Sequence, residues 1–247
     1  MQPVNYDVVA SAYDRRYERN QYDGVRDVLH RFVAGAQSGV VVEIGCGTGH
    51  WLADLSSRGF SRLFGVDRSW RMLELARVSA PNARLIRGVA NPLPWIDQSV
   101  DRLFCVNALH HFAEQQAFLR ECRRVLRPGG GLLTVGLDPH TGDDRWWVYD
   151  YFPTALSADR LRYPSTASLR EWLGRVGFEH PATEVAETFS AEMPFGLAWQ
   201  QGLVDRRATS QLMVISDSDY ENGVARLMIE QPVLRSNVRL YATTAWV

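Results

Sequence analysis

The stretch VVVEIGCGTGH, residues 40–50, decides the fold. Its first half is a short apolar run, which is typical of a strand buried on both faces of a parallel sheet. Gly45, Gly47 and Gly49 follow, and they lead into the helical pattern TGHWLADLSSRG. A strand, a glycine-rich turn and a helix in this order predict a loop that binds a nucleoside or nucleotide at the carboxyl end of the strand.

The acid Glu43 stands just before the first glycine, where its charge would repel a bound pyrophosphate. The dinucleotide fingerprint also needs a glycine at position 50, which is His50. A second acid, Asp67, ends the next predicted strand, about 20 residues after Gly45, as a ribose-binding carboxylate does. These features favour a nucleoside that carries a cationic group and no phosphate, and S-adenosylmethionine (SAM) is such a ligand.

Strand and helix patterns alternate through the first half of the chain. This alternation predicts an α/β fold: a Rossmann-like, mostly parallel sheet with helices on both faces. We expect a capping Ser69 at one helix and a stop at Gly177 for another. The predicted strands are 40–44, 62–67, 83–88, 100–107 and 132–137, followed by a strand that starts within ATEVAETFSAE and a last one at 237–247.

We expect one domain across residues 1–247, because this length suits one well-buried core. The predicted core comprises residues 38–137, 165–190 and 237–247. The remaining parts, 1–36, 138–164 and 191–236, are predicted to form a helical lid.

Composition excludes several classes of function. The formal net charge is −1, which gives no electrostatic footprint for nucleic acid or an anionic membrane. Every cationic residue is arginine, so a Schiff-base lysine is excluded. The spacing of Cys46, Cys105 and Cys122 fits neither a zinc site nor a disulfide framework, and it suits a cytoplasmic protein. No apolar run is long enough to cross a membrane, and no metal site is expected.

Four motifs resemble those of the class I SAM-dependent methyltransferases. They are the loop EIGCGTG, the segment GVD, the segment SVDRLFCVNALHHF and the turn RVLRPGG. The segments YDVVASAYD and LHHF look like the small-molecule branch of type 11, which includes quinone methyltransferases, and RRATSQLMVISDSDYENGVARL is similar to lid segments of trans-aconitate methyltransferases. The resemblance implies a seven-stranded sheet in which NVRLYATTAWV is an antiparallel strand near one edge.

The resemblance also implies a SAM site, with S-adenosylhomocysteine (SAH) as the product. The family often has GDA after the third strand, whose acid bonds the adenine amino group, but this chain has GVA. The implied cofactor-binding residues are Tyr13, Glu43, Gly45, Cys46, Gly47, Gly49, Asp67, Arg68, Met72, Gly88, Val89, Ala90, Asn107 and Ala108.

Candidates for catalysis and substrate binding come from two other segments. His110 and His111 follow the fourth strand and are candidate bases, with a slight preference for His110; His140, after the fifth strand, is a further candidate. In the aromatic connection that starts at residue 138, Trp147 and Tyr151 are expected to line a substrate pocket. Arg145 is placed there to bind a carboxylate.

The prediction is therefore an enzyme that transfers a methyl group from SAM to a small organic acceptor by in-line displacement. Two alternatives stay open: a catalytically silent SAM-binding module of the same fold, and a methyltransferase that acts on RNA or protein. The acceptor atom stays open, as does the choice between monomer and homodimer.

Overall fold

The computed structural model describes residues 6–8, 10 and 13–247. The chain divides into two compact units. The sheet unit contains the described residues up to 136, together with Thr166–Glu187 and Leu240–Val247. The insertion unit contains Leu137–Ser165 and Thr188–Arg239. The described residues of the N-terminal segment, expected as part of a lid, therefore cluster with the sheet.

Seven strands follow the predicted order along the chain, and one short strand, at Arg145–Trp146, was not predicted. They are β1 (Val41–Ile44), β2 (Leu63–Asp67), β3 (Arg84–Arg87), β4 (Val100–Val106), β5 (Leu126–Gly136), β6 (Arg145–Trp146), β7 (Glu179–Pro194) and β8 (Val233–Trp246).

Helices separate most of these strands, and short 3-10 turns occupy Tyr6–Val8 and Leu109–His111. The helices are α1 (Arg15–Arg19), α2 (Asp23–Val33), α3 (His50–Ser57), α4 (Trp70–Ser79), α5 (Gln115–Val125), α6 (Trp147–Tyr151), α7 (Pro153–Arg162), α8 (Thr166–Val176), α9 (Phe195–Gln200), α10 (Ser210–Met213) and α11 (Asp217–Glu230).

The sheet unit contains a mostly parallel sheet with the order β3-β2-β1-β4-β5-β8, and β7 also pairs with β8. Strands β1 to β5 pair in parallel, and β8 runs antiparallel to β5 from Gly131 opposite Trp246 to Gly136 opposite Tyr241. The predicted α/β fold and its reversed strand near the edge are confirmed. Because β1, β2 and β4 are parallel neighbours, their carboxyl ends meet at one edge of the sheet, which is where this fold binds ligands.

Packing explains why the sequence of β1 is mostly apolar and does not alternate between polar and apolar residues. Every residue of β1 is buried, and Val42 and Ile44 share a core cluster with Phe118 and Cys122 of α5 and with Leu173 of α8. Strands covered on both faces need apolar side chains on both, so alternation is lost. Glu43 is the exception within β1.

Local signals set most of the element ends. The Ser69 side chain accepts a hydrogen bond from the Met72 amide at the start of α4, as predicted. Gly177, with φ of +92°, follows the end of α8, also as predicted. Strand β5 begins at Leu126, earlier than predicted, because Leu126 pairs with Val100 before the register shifts. The RPGG turn that was expected to precede the strand lies inside it.

The insertion unit has its own apolar core. Trp147, Val148 and Phe152 pack with Phe195, and the rest of this cluster comes from α7, from the segments around α9, α10 and α11, and from the start of β8. The two insertions therefore pack together through this core. Within this unit β6 pairs antiparallel with Ser236 and Asn237 of β8, a pairing that the sequence did not predict. No helix in the described part of the chain has the length and apolarity to span a bilayer.

Candidate cofactor and active site

The glycine loop between β1 and α3 is shaped by its backbone. Gly45, Gly47 and Gly49 all have positive φ, at +74°, +50° and +80°. A Cβ on Gly45 would lie 2.6 Å from the Cβ of Ala108, so no other residue fits there without displacing the segment after β4. The loop thus keeps its backbone open toward the end of the sheet, where a ligand reaches peptide groups directly.

Asp67 lies at the end of β2 and is tied to the loop. Its Oδ2 accepts a hydrogen bond from the Gly47 amide at 2.9 Å, and its Oδ1 accepts from the Ser69 amide at 2.8 Å. Burial raises the pKa of Asp67, and these two bonds oppose that shift. Each carboxylate oxygen has more than one acceptor direction, so the group retains capacity for a ligand hydroxyl.

Glu43 is a buried carboxyl group behind the loop. It is 1% exposed, and its Oε2 has no hydrogen-bond partner among the described residues. Burial, with the charge of Asp67 as a second cause, raises the pKa of Glu43 well above its ordinary value. A buried oxygen without a donor is costly, and a ligand ammonium within reach would remove that cost.

Two carboxylates connect the N-terminal segment to the site. The Thr48 hydroxyl of the loop donates to Asp14 at 2.5 Å, and the Ser69 hydroxyl donates to Asp7 at 2.5 Å. The second of these bonds lowers the pKa of Asp7. The segment is therefore held at the loop and at the start of α4.

Aromatic rings from the same segment lie against the loop. A Cβ on Gly47 would lie 3.6 Å from the ring of Tyr13, and the Arg16 guanidinium stacks over that ring at 3.7 Å. Tyr17 stacks on His50 with a ring separation of 3.6 Å. A dinucleotide site would need glycine at position 50, whereas here the ring of His50 packs against Tyr17.

Some of these residues line a cavity of about 330 Å³ at the carboxyl ends of β1 to β4. This is within the size range of small-molecule sites. Its lining comes entirely from the sheet unit and consists of Tyr6, Tyr13, Ile44, Gly45, Gly47, Val66, Asp67, Arg68, Met72, Gly88, Val89, Ala90, Asn91, Asn107, Ala108, His111, Phe112, Ala113 and Glu114.

Most of the residues assigned to the cofactor from sequence lie together in this lining. Three do not: Glu43 and Cys46 are buried and lie outside the lining, and Gly49 packs against Ala76 of α4. The positive φ of Gly49 gives it a structural reason to be glycine. The lining residues assigned to the cofactor are Tyr13, Gly45, Gly47, Asp67, Arg68, Met72, Gly88, Val89, Ala90, Asn107 and Ala108.

Sequence reasoning did not assign several lining residues. Two polar ones are Asn91, in a segment that follows β3, and Glu114, just before α5. Proximity to predicted strand ends was the available signal, since both segments follow strands whose carboxyl ends meet at the same edge.

The structure separates the three candidate histidines. His111 lines the cavity, and its Nε2 lies 2.5 Å from the Tyr6 hydroxyl. His110 is 8% exposed and lies outside the lining, because the 3-10 turn directs the two neighbours differently. His140 belongs to the insertion unit, where its Nε2 bonds the Tyr163 carbonyl oxygen at 2.9 Å. The geometry thus favours His111 over His110.

The three substrate candidates belong to the insertion unit. Trp147 is 8% exposed and lies in the core of that unit. The Tyr151 hydroxyl donates to Glu230 at 2.6 Å, and Arg145 lies in β6. Their roles toward a substrate stay predictions. Within the described residues, no group of three or more histidine, cysteine or acidic side chains could hold a metal ion.

The sheet order, the reversed strand beside β5 and the glycine loop bonded to an acid define a Rossmann-like fold of the methyltransferase type. The sequence model of the methyltransferase domain family matches residues 42–134. This match and the relatives below support a class I SAM-dependent methyltransferase of the type 11 branch.

Individual proteins agree with this family. The chain is 36% identical to the methyltransferase YcgJ of Bacillus subtilis, itself uncharacterised, over 140 residues, which are 53% of each chain. It therefore spans about half the length of that relative. It is 28% identical to demethylmenaquinone methyltransferase of Staphylococcus aureus, over 65% of this chain and 70% of that one. The crystal structure of YcgJ matches the fold with a TM-score of 0.63 at 20% identity, over 91% of this chain and 98% of that one.

Proposed function

We propose that this protein transfers a methyl group from SAM to a small organic acceptor. The observation that carries the proposal is the pair of carboxyl groups near the glycine loop, Glu43 in β1 and Asp67 at the end of β2. Asp67 retains acceptor capacity for a ribose, and Glu43 has a buried oxygen that lacks a donor among the described residues. A nucleoside with a cationic amino-acid end satisfies both groups, because an ammonium favours the ionised form of Glu43, whereas a dinucleotide pyrophosphate disfavours it.

We assign the parts of SAM to parts of the cavity by following the order of the strands. Gly88 and its neighbours follow β3, Asp67 ends β2, the glycine loop follows β1, and Asn107 follows β4. With the ribose at Asp67, the adenine extends toward β3 and the methionine part toward β1 and β4. The aromatic ring of Tyr13 then covers the methionine end, where a cation gains about 0.5–2 kcal/mol from a ring face.

SAM supplies a methyl group that is already activated by its sulfonium. The protein therefore has to orient the acceptor, exclude water and, for a protonated acceptor, take up one proton. The Tyr6–His111 pair lies on the β4 side of the cavity, which is the end assigned to the methyl group. We assign His111 as the group that accepts the proton from an O–H or N–H acceptor, with the Tyr6 hydroxyl holding its ring.

Charge and chemistry favour a small acceptor over RNA. The net charge of −1 gives no overall electrostatic attraction for a polyanion. The name of the S. aureus relative refers to a small molecule, a demethylated menaquinone, which supports the same class of acceptor here.

The test is release of SAH from SAM in the presence of panels of phenols, amines and carboxylic acids. Total RNA and a mixed peptide pool serve as further acceptors. The proposal predicts turnover with at least one small molecule, and independence from salt between 50 and 200 mM, roughly the range in which polyanion binding collapses. Turnover with RNA or peptides alone would contradict the small acceptor. SAM binding without turnover on any acceptor would support the silent module.

A further inference from the structure

The segment after β3 contributes four consecutive residues to the cavity, Gly88, Val89, Ala90 and Asn91. Three of them have no polar side chain. Val89 is 55% exposed although apolar, and it occupies the position at which the related GDA motif has its acid. This end of the cavity therefore lacks the usual acceptor for an adenine amino group.

Asn91 brings a polar group to the same wall. Its side chain is exposed, and its amide makes no hydrogen bond to the described residues. The other amide in the lining, Asn107, follows β4 and lies on the far side of Asp67 in strand order. Asn91 is thus the amide on the side of the cavity assigned to the base.

The other polar groups near this end do not have the same chemistry. The Arg68 side chain is a donor only, and its backbone carbonyl oxygen accepts from Arg87 at 3.3 Å. Asp67 is bonded to two backbone amides and is assigned to the ribose. Neither side chain pairs with both a donor and an acceptor on one edge of a base.

An amide matches the edge of adenine better than a carboxylate does. Its oxygen accepts from the exocyclic amino group while its nitrogen donates to a neighbouring ring nitrogen, whereas a carboxylate only accepts. We infer that Asn91 binds the adenine edge of SAM and replaces the acid that Val89 has displaced. The inference rests on the proposed function, because it presupposes that the nucleoside is SAM.

A consequence distinguishes an amide from an acid. When the side-chain amide of an asparagine turns by 180°, its oxygen and nitrogen exchange places. The nitrogen can then donate to the oxygen of hypoxanthine, and the amide oxygen can accept from its ring N–H. The wild-type protein should therefore discriminate only weakly, within about tenfold, between SAH and S-inosylhomocysteine. An aspartate at position 91 keeps the acceptor for adenine but faces the hypoxanthine oxygen with a second acceptor.

The experiment is calorimetric titration of both ligands into the wild type, Asn91→Ala, Asn91→Asp and the control Asn82→Ala. Asn82 is an exposed asparagine of the same unit, bonded to Ser56 and outside the lining. We expect Asn91→Ala to weaken SAH by about tenfold. The affinity of Asn91→Asp for SAH should stay within about fivefold of the wild-type affinity. Its affinity for S-inosylhomocysteine should fall about tenfold more than its affinity for SAH does. Asn82→Ala should match the wild type.

Two outcomes would overturn the inference. One is an Asn91→Ala variant that binds SAH within about twofold of the wild type. The other is an Asn91→Asp variant that leaves the ratio of the two ligands unchanged. A wild-type protein that binds neither ligand contradicts the proposed function itself, so the two failures are distinct.

Discussion

The Gly47 amide donates a hydrogen bond to Asp67 Oδ2 at 2.9 Å, which joins the glycine loop to the end of the neighbouring strand. The bond is intramolecular, so it orients the carboxylate before any ligand arrives. A group that is already oriented loses less conformational freedom on binding. The relationship makes Asp67 both a support of the loop and the assigned ribose acceptor.

Asp67→Ala should weaken SAH binding by about 1.5–3 kcal/mol, because hydrogen bonds to charged groups have that magnitude. Asp67→Asn is the matched variant, since it keeps the shape of the side chain and exchanges one acceptor for a donor. Titration calorimetry gives the affinities, and thermal melting shows whether the loop still folds. A loss under about 0.5 kcal/mol in both variants would mean that Asp67 does not bind the ribose.

Glu43 makes the stability of the ligand-free protein depend on pH. Burial, followed by the charge of Asp67, raises its pKa above the ordinary 4.5, so the folded state holds this proton to a higher pH than the unfolded chain does. The free energy of unfolding should therefore fall as pH rises from 4.5 to the raised pKa, by at most about 1.4 kcal/mol per pH unit. Glu43→Gln should flatten this part of the profile, measured by urea unfolding, and an unchanged slope would contradict the assignment.

Binding of SAM should release the proton of Glu43 at a pH below its raised pKa, because a nearby ammonium favours the carboxylate. The apparent binding enthalpy should then differ between phosphate and Tris buffers. Glu43→Gln should remove the part of this difference that comes from the carboxyl group and should also weaken binding. Equal buffer dependence in both proteins would show that Glu43 does not sense the ligand.

Tyr6→Phe should lower kcat by about tenfold or more and leave SAH affinity within about threefold, because it removes the partner of His111 and keeps the ring. Tyr17→Phe is the matched control, since it removes a phenol hydroxyl from the same segment outside the cavity lining. The readout is the pH profile of kcat with an acceptor found by SAH release. If both variants behave alike, the Tyr6–His111 pair has no special role.

Substitutions at Trp147 and Tyr151 distinguish a packing role from a substrate-binding role in the insertion unit. Trp147→Ala should lower the free energy of unfolding by about 3–5 kcal/mol, because this ring lies in the core of the unit. Tyr151→Phe removes only the hydroxyl that bonds Glu230, so we expect a stability change under about 1 kcal/mol. If the Tyr151 hydroxyl contacts the substrate, Tyr151→Phe should raise the KM for that substrate and leave SAH affinity within about threefold of the wild type. An unchanged KM would leave this segment as scaffold.

Local signals explain what the sequence predicted well. Apolar runs, positive-φ glycines and the capping Ser69 act within a few residues, so the order of the strands and the glycine loop could be inferred. The prediction missed features that depend on which way the side chains of short irregular segments point. Whether His110 or His111 enters the cavity depends on one 3-10 turn, and Asn91 enters it from an irregular segment. The early start of β5 required the pairing of Leu126 with Val100, which no local pattern shows.

Calorimetric titration of SAH against NAD tests the central claim most directly. The account predicts saturable binding of SAH, since Glu43 and Asp67 fit a nucleoside with an ammonium group, and no measurable binding of NAD, since a pyrophosphate disfavours the ionised form of Glu43 that an ammonium favours. Tight binding of NAD with no binding of SAH or SAM would contradict it.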